Sequence, residues 1–147
     1  MTTLRRRRIL LVDDDPAGAE LTVAALTMLD SEASVEVVAD GEEALDFLFR
    51  RGAFAASADD ALPGAMLLDL KMPKIDGHEV LRQVRADPRL NGLKVIVLTS
   101  SDQARDRVLS RELGSDGYLV KPPSIAGLIA LLRGCAELLP PAEESAT

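Results

Sequence analysis

The sequence predicts an α/β fold built on a five-stranded parallel sheet. Short aliphatic or β-branched runs alternate five times with longer segments of helical period along the 147 residues. Runs that are apolar throughout are typical of strands covered by helices on both faces. The turn dipeptides Asp40-Gly41 and Asp76-Gly77 precede two of the helical segments. Right-handed crossovers then restrict the topology to a few doubly wound forms.

The predicted strands are short, and the predicted helices are longer. The strands are expected at 9–12, 35–38, 66–68, 95–98 and 118–120, and the helices at 17–29, 42–49, 79–85, 104–113 and 125–139. In the first helix, Leu21, Ala24, Ala25 and Met28 predict the face that packs on the sheet. The single cysteine, Cys135, lies in an aliphatic pattern and is predicted to be a core residue in a reducing compartment.

Three segments fall outside this regular pattern. Residues 1–7 are expected to form a flexible basic tail, and residues 140–147 a disordered one. The basic run from Arg5 to Arg8 suits either a solvated tail or a docking segment. The connection 52–64 is longer than the roughly two to six residues usual in such units, so it is either a short extra helix with a loop or a mobile insertion.

Composition and charge exclude several classes of function. The chain is 47% hydrophobic and 28% charged, which is typical of a soluble globular domain. Its net charge of −7 argues against nucleic-acid binding, because phosphate contacts need a clustered positive surface. The apolar runs are much shorter than a membrane span, so we expect a cytoplasmic protein with no membrane partner.

Polar side chains follow four of the five predicted strands. Asp13 and Asp14 come after the first strand, Asp69 after the third, Thr99 at the end of the fourth, and Lys121 after the fifth. Each residue type is ordinary at such a position. Because the carboxyl ends of parallel strands meet at one edge of the sheet, however, all five are expected to lie close together.

This set of side chains suits phosphate chemistry. Clustered carboxylates repel one another and imply a compensating cation, and ligation by oxygen alone suits Mg²⁺. An amine and a hydroxyl add the groups that hold a phosphoryl group. No GxxxxGK(S/T), GxGxxG or GxSxG motif is present, so the sequence does not point to nucleotide binding or acyl transfer. A carboxylate can itself accept the phosphoryl group as a nucleophile.

Four segments in this order resemble those of the receiver domain of two-component response regulators. They are "LLVDDD", "LLDLKMPKIDG", "VIVLTSS" and "DGYLVKP", and the similarity extends over residues 8–139. The resemblance implies a flavodoxin-like, doubly wound (βα)5 fold with strand order 2-1-3-4-5. It also implies a protein that catalyses only its own phosphorylation and dephosphorylation, and that is therefore not an enzyme in the usual sense.

The resemblance assigns Asp69 as the phosphoacceptor and Mg²⁺ as the cofactor. Asp14, Asp69 and the backbone carbonyl of Lys71 would bind the ion directly, and Asp13 would act through a metal-bound water. The residue two positions after the acceptor is Lys71, and the residue two after the switch threonine is Ser101. Neither is suited to orienting a water molecule, so we expect slow self-dephosphorylation.

The same resemblance assigns the remaining site residues. Lys121 would pair with the phosphoryl group, and Thr99 would move to hydrogen-bond it. Tyr118 would be the aromatic switch residue that moves with Thr99. Pro122 would follow a cis peptide bond that fixes the Lys121 loop.

The expected phosphoryl donor is a sensor histidine kinase. A closer similarity, to the stand-alone receivers that accompany bacterial phytochromes, rests on "FLFRRGAFA", the long connection and "EVLRQVRADPRL". The chain ends soon after the fifth helix, so we expect no output domain and signalling through a downstream protein or a His phosphotransfer protein. Apolar residues around the last helix, such as Leu131, suit either a homodimer interface, which we expect, or a broader core contact. Pro123 stands where many receivers have a Phe that contributes to dimerisation.

Two other interpretations of the site are possible. A Mg²⁺-dependent phosphohydrolase with an Asp nucleophile would use two acids two residues apart, a spacing that Asp13 and Asp15 offer. It would leave "DLKMPKIDG" unexplained, and it would need a cap domain for which this chain is too short. A degenerate receiver that acts as a scaffold is the third interpretation, and the retention of every key residue type argues against it.

Overall fold

The computed structural model describes residues 8–30, 32–52 and 62–135. The predicted tails 1–7 and 140–147, most of the connection 52–64 and the end of the last predicted helix lie outside the described residues. Five strands and five helices alternate along the described chain. None of these helices is long and apolar enough to cross a membrane.

Every predicted element is present, and the boundaries lie within two residues of those predicted, except at the end of the fifth helix, which the structure describes to Gly134 where residue 139 was predicted. The strands are β1 Arg8–Val12, β2 Ser34–Val38, β3 Ala65–Leu68, β4 Lys94–Thr99 and β5 Gly117–Val120. The helices are α1 Pro16–Leu29, α2 Gly41–Leu48, α3 Gly77–Arg85, α4 Ala104–Glu112 and α5 Ile125–Gly134. A short 3-10 helix at Pro88–Leu90, which the sequence did not predict, follows α3.

The five strands form one parallel sheet in the order β2-β1-β3-β4-β5, which confirms the predicted topology. The register aligns the ends of the central strands, because Val12 of β1 lies opposite Leu68 of β3. Thr99 of β4 lies opposite Val120 of β5. The chain enters α1 on one face of the sheet after β1 and α3 on the other face after β3, so a crevice forms beyond the carboxyl ends of these two strands.

The core consists of two apolar layers, one on each face of the sheet. On β1, Leu10 and Val12 pack with α2 and α3, whereas Ile9 and Leu11 pack with α1 and α5. This alternation follows from the two-residue period of a strand. Cys135 lies in the second layer and is 8% exposed, which confirms its predicted core position.

The buried face of α1 differs from the predicted one. Met28 is 69% exposed, whereas Thr22 is buried. Thr22 can occupy the core because its hydroxyl donates to the carbonyl of Gly18 one turn earlier, at 3.0 Å. The face toward the sheet therefore runs through Ala19, Thr22 and Ala25, rotated from the apolar pattern in the sequence.

Four of the five described helices begin with a side-chain cap. The caps are Asp15 for α1, Asp40 for α2, Asp76 for α3 and Ser124 for α5, and each accepts a hydrogen bond from a backbone N–H in the first turn. Helix α4 follows Gln103, which makes no such bond. The start of α4 therefore depends on other contacts.

Candidate functional site

Three carboxylates meet at the carboxyl edge of the sheet. Asp13 and Asp14 follow β1, Asp69 follows β3, and one oxygen of each lies within 4.8 Å of the others. Asp13 is 3% exposed and Asp69 7%, whereas Asp14 faces solvent. The structure thus brings together the three acids that the sequence analysis selected, two of them buried and one open to water.

Lys121 reaches this cluster from the end of β5. Its Nζ lies 2.9 Å from Asp13 Oδ2 and 3.3 Å from Asp69 Oδ2. Burial alone would lower the pKa of Lys121, but the bonds and charges of these two carboxylates outweigh it and raise the pKa above its ordinary value. A protonated lysine balances one of the three negative charges, so the cluster retains a net negative charge.

Backbone N–H groups hold the other oxygens of the buried acids. Asp15 N donates to Asp13 Oδ1 at 3.0 Å, and Lys71 N donates to Asp69 Oδ1 at 3.3 Å. Each buried carboxylate therefore has one oxygen on an amide and the other on Lys121. This arrangement fixes both groups in orientation before any ligand arrives.

The residues present fit a divalent cation. Carboxylate oxygens are the ligands that Mg²⁺ prefers in proteins, and Asp13, Asp14 and Asp69 offer three of them within one small volume. The negative charge that Lys121 leaves unbalanced favours a cation at this position. The acidic cluster can thus hold a metal ion.

The predicted cis peptide before Pro122 is wrong. Every peptide bond between described residues is trans. The trans isomer is favoured by about 0.5–1 kcal/mol even before proline. Lys121 N already donates to Thr99 O at 2.8 Å, and its ammonium group reaches both acids with the trans bond.

The first residue of α3 approaches the backbone of Asp69 very closely. A Cβ at Gly77 would lie 2.3 Å from Asp69 O and 2.7 Å from Leu70 Cα. Gly77 N also donates to Leu70 O at 3.0 Å. In the sequence, Asp76-Gly77 indicates only a turn, and the available clue to this close approach was a glycine shortly after a candidate nucleophile. A residue with any side chain at position 77 would displace α3 or the Asp69 backbone.

The two predicted switch residues meet at Ser101. Thr99 is fully buried, and its Oγ1 accepts a hydrogen bond from Ser101 N at 3.3 Å. The Tyr118 hydroxyl donates to Ser101 O at 3.0 Å, and burial raises the pKa of Tyr118. The Arg107 guanidinium lies 4.6 Å from the centre of the Tyr118 ring. Both switch residues thus contact the same loop residue, which was predicted from the sequence only to be unsuited to orienting a hydrolytic water.

A groove of about 420 Å³ opens beside the acids. Asp14, Lys71, His78 and Asp106 are among its lining residues. His78 Nε2 lies 3.1 Å from Ser110 Oγ, and Ser110 is the one buried residue of α4. A polar contact therefore anchors α4 against α3 at the far side of this groove.

The geometry does not favour the phosphohydrolase interpretation. Asp15 Oδ1 accepts a hydrogen bond from Ala17 N and caps α1. Asp15 lies outside the acidic cluster found among the described residues. The two-residue spacing of Asp13 and Asp15 therefore does not place two acids in one site.

Residues 9–133 match the family model of the response regulator receiver domain. The chain belongs to this family. The predicted resemblance is therefore confirmed, and the acidic cluster lies where a receiver domain of a two-component system carries its phosphoacceptor site. A receiver of this kind implies a histidine kinase as its partner.

The chain is also similar to curated receiver proteins. It is 40% identical over 122 residues to the probable methanogenesis regulatory protein FilR2 of Methanothrix harundinacea, covering 82% of this chain and 75% of FilR2. It is 37% identical to the response regulator MprA of Mycobacterium avium, covering 94% of this chain and 54% of MprA. The chain thus spans about half the length of MprA.

Solved structures with the same fold include phytochrome-associated receivers. The phosphorylated cyanobacterial phytochrome response regulator RcpA has a TM-score of 0.82 and 33% identity, with 91% of this chain and 94% of RcpA covered. The bacteriophytochrome response regulator RtBRR has a TM-score of 0.76 and 42% identity, with 96% of this chain and 81% of RtBRR covered. The structural neighbours of this receiver therefore include response regulators of phytochromes.

Proposed function

We propose that this receiver accepts a phosphoryl group from a sensor histidine kinase on Asp69 and signals by binding another protein. The observation that carries this proposal is the placement of Asp69. Its carboxylate is buried at the sheet edge, beside two further acids and within 3.3 Å of the Lys121 ammonium group. A nucleophile, a cation site and a fixed positive charge are thus adjacent.

The residues have complementary roles in the transfer. A carboxylate oxygen of Asp69 attacks the phosphorus of a phosphohistidine, the P–N bond breaks, and the imidazole leaves as the acyl phosphate forms. Lys121 pairs with the phosphoryl oxygens, and the Thr99 hydroxyl donates to one of them. Asp14, Asp69 and the Lys71 carbonyl would hold Mg²⁺ directly and Asp13 through a metal-bound water, and the bound ion would offset the charge shared by the carboxylates and the phosphoryl group.

The contacts of Ser101 support a long-lived acyl phosphate. Its hydroxyl donates to Asp106 Oδ2 at 2.5 Å and accepts from Gln103 N at 3.4 Å. The hydroxyl therefore uses its proton and one acceptor lone pair on the side of α4. Lys71 carries an ammonium group that cannot accept a proton from water. Neither side chain is placed to orient a hydrolytic water, which keeps self-dephosphorylation slow.

A bacterial phytochrome is the proposed cognate kinase. The support is the similarity to RcpA and RtBRR, which extends over nine-tenths or more of this chain. The phosphorylated form would pass its signal to a downstream protein or a His phosphotransfer protein, with a homodimer as the proposed assembly. Phosphotransfer from a panel of purified histidine kinases tests this assignment, because a phytochrome kinase should label the chain faster than unrelated kinases do.

The phosphoacceptor assignment has a direct test. Purified protein is incubated with acetyl phosphate and Mg²⁺, and the added mass is located by peptide mass spectrometry. We expect one phosphoryl group on Asp69, none in Asp69→Asn, and normal labelling in Asp102→Asn, which removes an exposed acid. Undiminished labelling of Asp69→Asn would refute the assignment, and sustained turnover of phosphate esters that is not limited to one burst of labelling would instead favour the phosphohydrolase.

A further inference from the structure

Helix α4 begins without a side-chain cap on its own N-terminal residue. Gln103 precedes the helix and makes no side-chain cap bond. Its backbone N–H instead donates to Ser101 Oγ at 3.4 Å, two residues upstream. Asp106, in the first turn of α4, accepts from the same hydroxyl at 2.5 Å. The Ser101 hydroxyl therefore links the loop before α4 to the first turn of the helix through Gln103 and Asp106.

Ser101 also contacts both residues proposed to respond to phosphorylation. Its N–H donates to Thr99 Oγ1 at 3.3 Å, and its carbonyl accepts from the Tyr118 hydroxyl at 3.0 Å. The side chain and backbone of this one residue thus connect β4, β5 and the first turn of α4. Any movement of Ser101 changes the surroundings of Thr99.

The hydrogen bond from Ser101 N determines the direction in which the Thr99 hydroxyl can donate its proton. A hydroxyl has one proton to donate and two lone pairs to accept with. When Ser101 N–H occupies a lone pair of Thr99 Oγ1, the proton stays available for an acceptor such as a phosphoryl oxygen. A hydrogen bond to a charged carboxylate is stronger than one between neutral groups, so Asp106 can keep Ser101 in the position that orients Thr99.

We infer that Asp106 is a positioning residue for phosphoryl transfer to Asp69, acting through the Ser101 hydroxyl and the Thr99 side chain. This inference rests on the proposed function of Asp69. Asp106 is half-buried and lines the groove beside the acids, but it is not a member of the acidic cluster found among the described residues. Its effect therefore comes through Ser101 rather than through metal binding.

The test compares Asp106→Ala, Asp106→Asn and the matched control Asp102→Ala. Asp102 lies in the loop just before α4, carries the same charge and is 81% exposed, with Arg107 as its partner. We expect Asp106→Ala to slow labelling by acetyl phosphate and to weaken beryllofluoride binding by about three- to tenfold. Asp106→Asn keeps an acceptor for Ser101 and should retain most of the rate, and Asp102→Ala should match the wild type.

Mg²⁺ affinity distinguishes positioning from a general structural defect. It should change by less than about twofold in Asp106→Ala, because the three acids that hold the ion are untouched. Binding can be followed by the fluorescence of Tyr118, since the chain has one tyrosine and no tryptophan. Equal losses of Mg²⁺ and beryllofluoride affinity would overturn the inference.

A second variant reaches the same bond from its other end. Ser101→Ala should reproduce the slower labelling, and adding Asp106→Ala to it should have no further effect. If Asp106→Ala does not fold, Ser101→Ala alone carries the test. Wild-type rates in both variants would refute the role of Asp106 and leave Asp69 as the phosphoacceptor. Failure of the wild-type chain to be labelled at Asp69 would instead refute the proposed function.

Discussion

Replacing Gly77 with alanine tests how closely the fold and the candidate site depend on each other. The added methyl group would lie 2.3 Å from Asp69 O, whereas ordinary contacts begin at 3.4 Å. The helix or the Asp69 backbone must therefore move by about 1 Å. Helix α3 cannot move away freely, because Val80, Leu81 and Val84 are fully buried under the sheet.

These contacts set the expected loss in the free energy of unfolding of Gly77→Ala. Overpacking a rigid core costs about 1–3 kcal/mol, and two backbone atoms in contact at once place this site near the upper limit. Alanine recovers less than about 1 kcal/mol through its higher helix propensity. We therefore expect Gly77→Ala to lower the free energy of unfolding by about 2 kcal/mol. Because the displaced atom belongs to Asp69, labelling by acetyl phosphate should also slow.

Urea unfolding followed by circular dichroism measures this change, with labelling assayed on the same samples. Gly92→Ala and Gly134→Ala are the controls, because a Cβ at either position meets nothing within 4 Å. Both controls should stay within about 0.5 kcal/mol of the wild type or gain stability. If Gly77→Ala also stays in that range and is labelled at the wild-type rate, the close approach has no energetic importance and the reasoning is wrong.

Two further predictions concern the pKa of Tyr118 and the contacts of Arg85. Because burial raises the pKa of Tyr118, tyrosinate absorbance of the folded chain should rise at a pH above the ordinary 10.0, and unfolding in urea should restore that value. The unfolded chain loses this proton first, so stability should fall as the pH rises from 10.0 through the raised pKa. Arg85 donates hydrogen bonds to Gly114 O, Leu90 O and Asp116 Oδ2. Arg85→Met removes these bonds, so it should lower the free energy of unfolding, measured in urea, by about 1–3 kcal/mol. A matched Arg82→Met, which breaks an exposed pair, should cost less than about 1 kcal/mol, and equal losses would contradict this explanation.

The strands that are buried on both faces were the elements most easily predicted from the sequence. The strands β1, β3 and β4 are covered on both faces, so their residues form apolar runs that are easy to recognise. Helix boundaries were less accurate, since α3 begins at Gly77 and glycine is a poor helix former. The buried face of α1 was misjudged because Thr22 satisfies its hydroxyl within the helix, a contact that hydropathy does not reveal.

The site was predictable as far as it depends on strand ends. Asp13, Asp14, Asp69 and Lys121 converge because parallel strands place their carboxyl ends together. The link between Ser101 and Asp106 depends on the path of one loop, which no periodicity encodes. The isomer of the peptide bond before Pro122, which is trans, could not be predicted from the sequence. Without tertiary contacts the two isomers differ by only about 0.5–1 kcal/mol.

The packing of α4 bears on how this protein could be re-engineered. Its one buried residue is Ser110, and the contact below it is a hydrogen bond to His78 rather than an apolar layer. Val108 and Leu109 are exposed. Substitutions along the outer face of this helix therefore leave both core layers intact. Substitutions at these two exposed positions should therefore change the surface of α4 while the free energy of unfolding stays nearly constant.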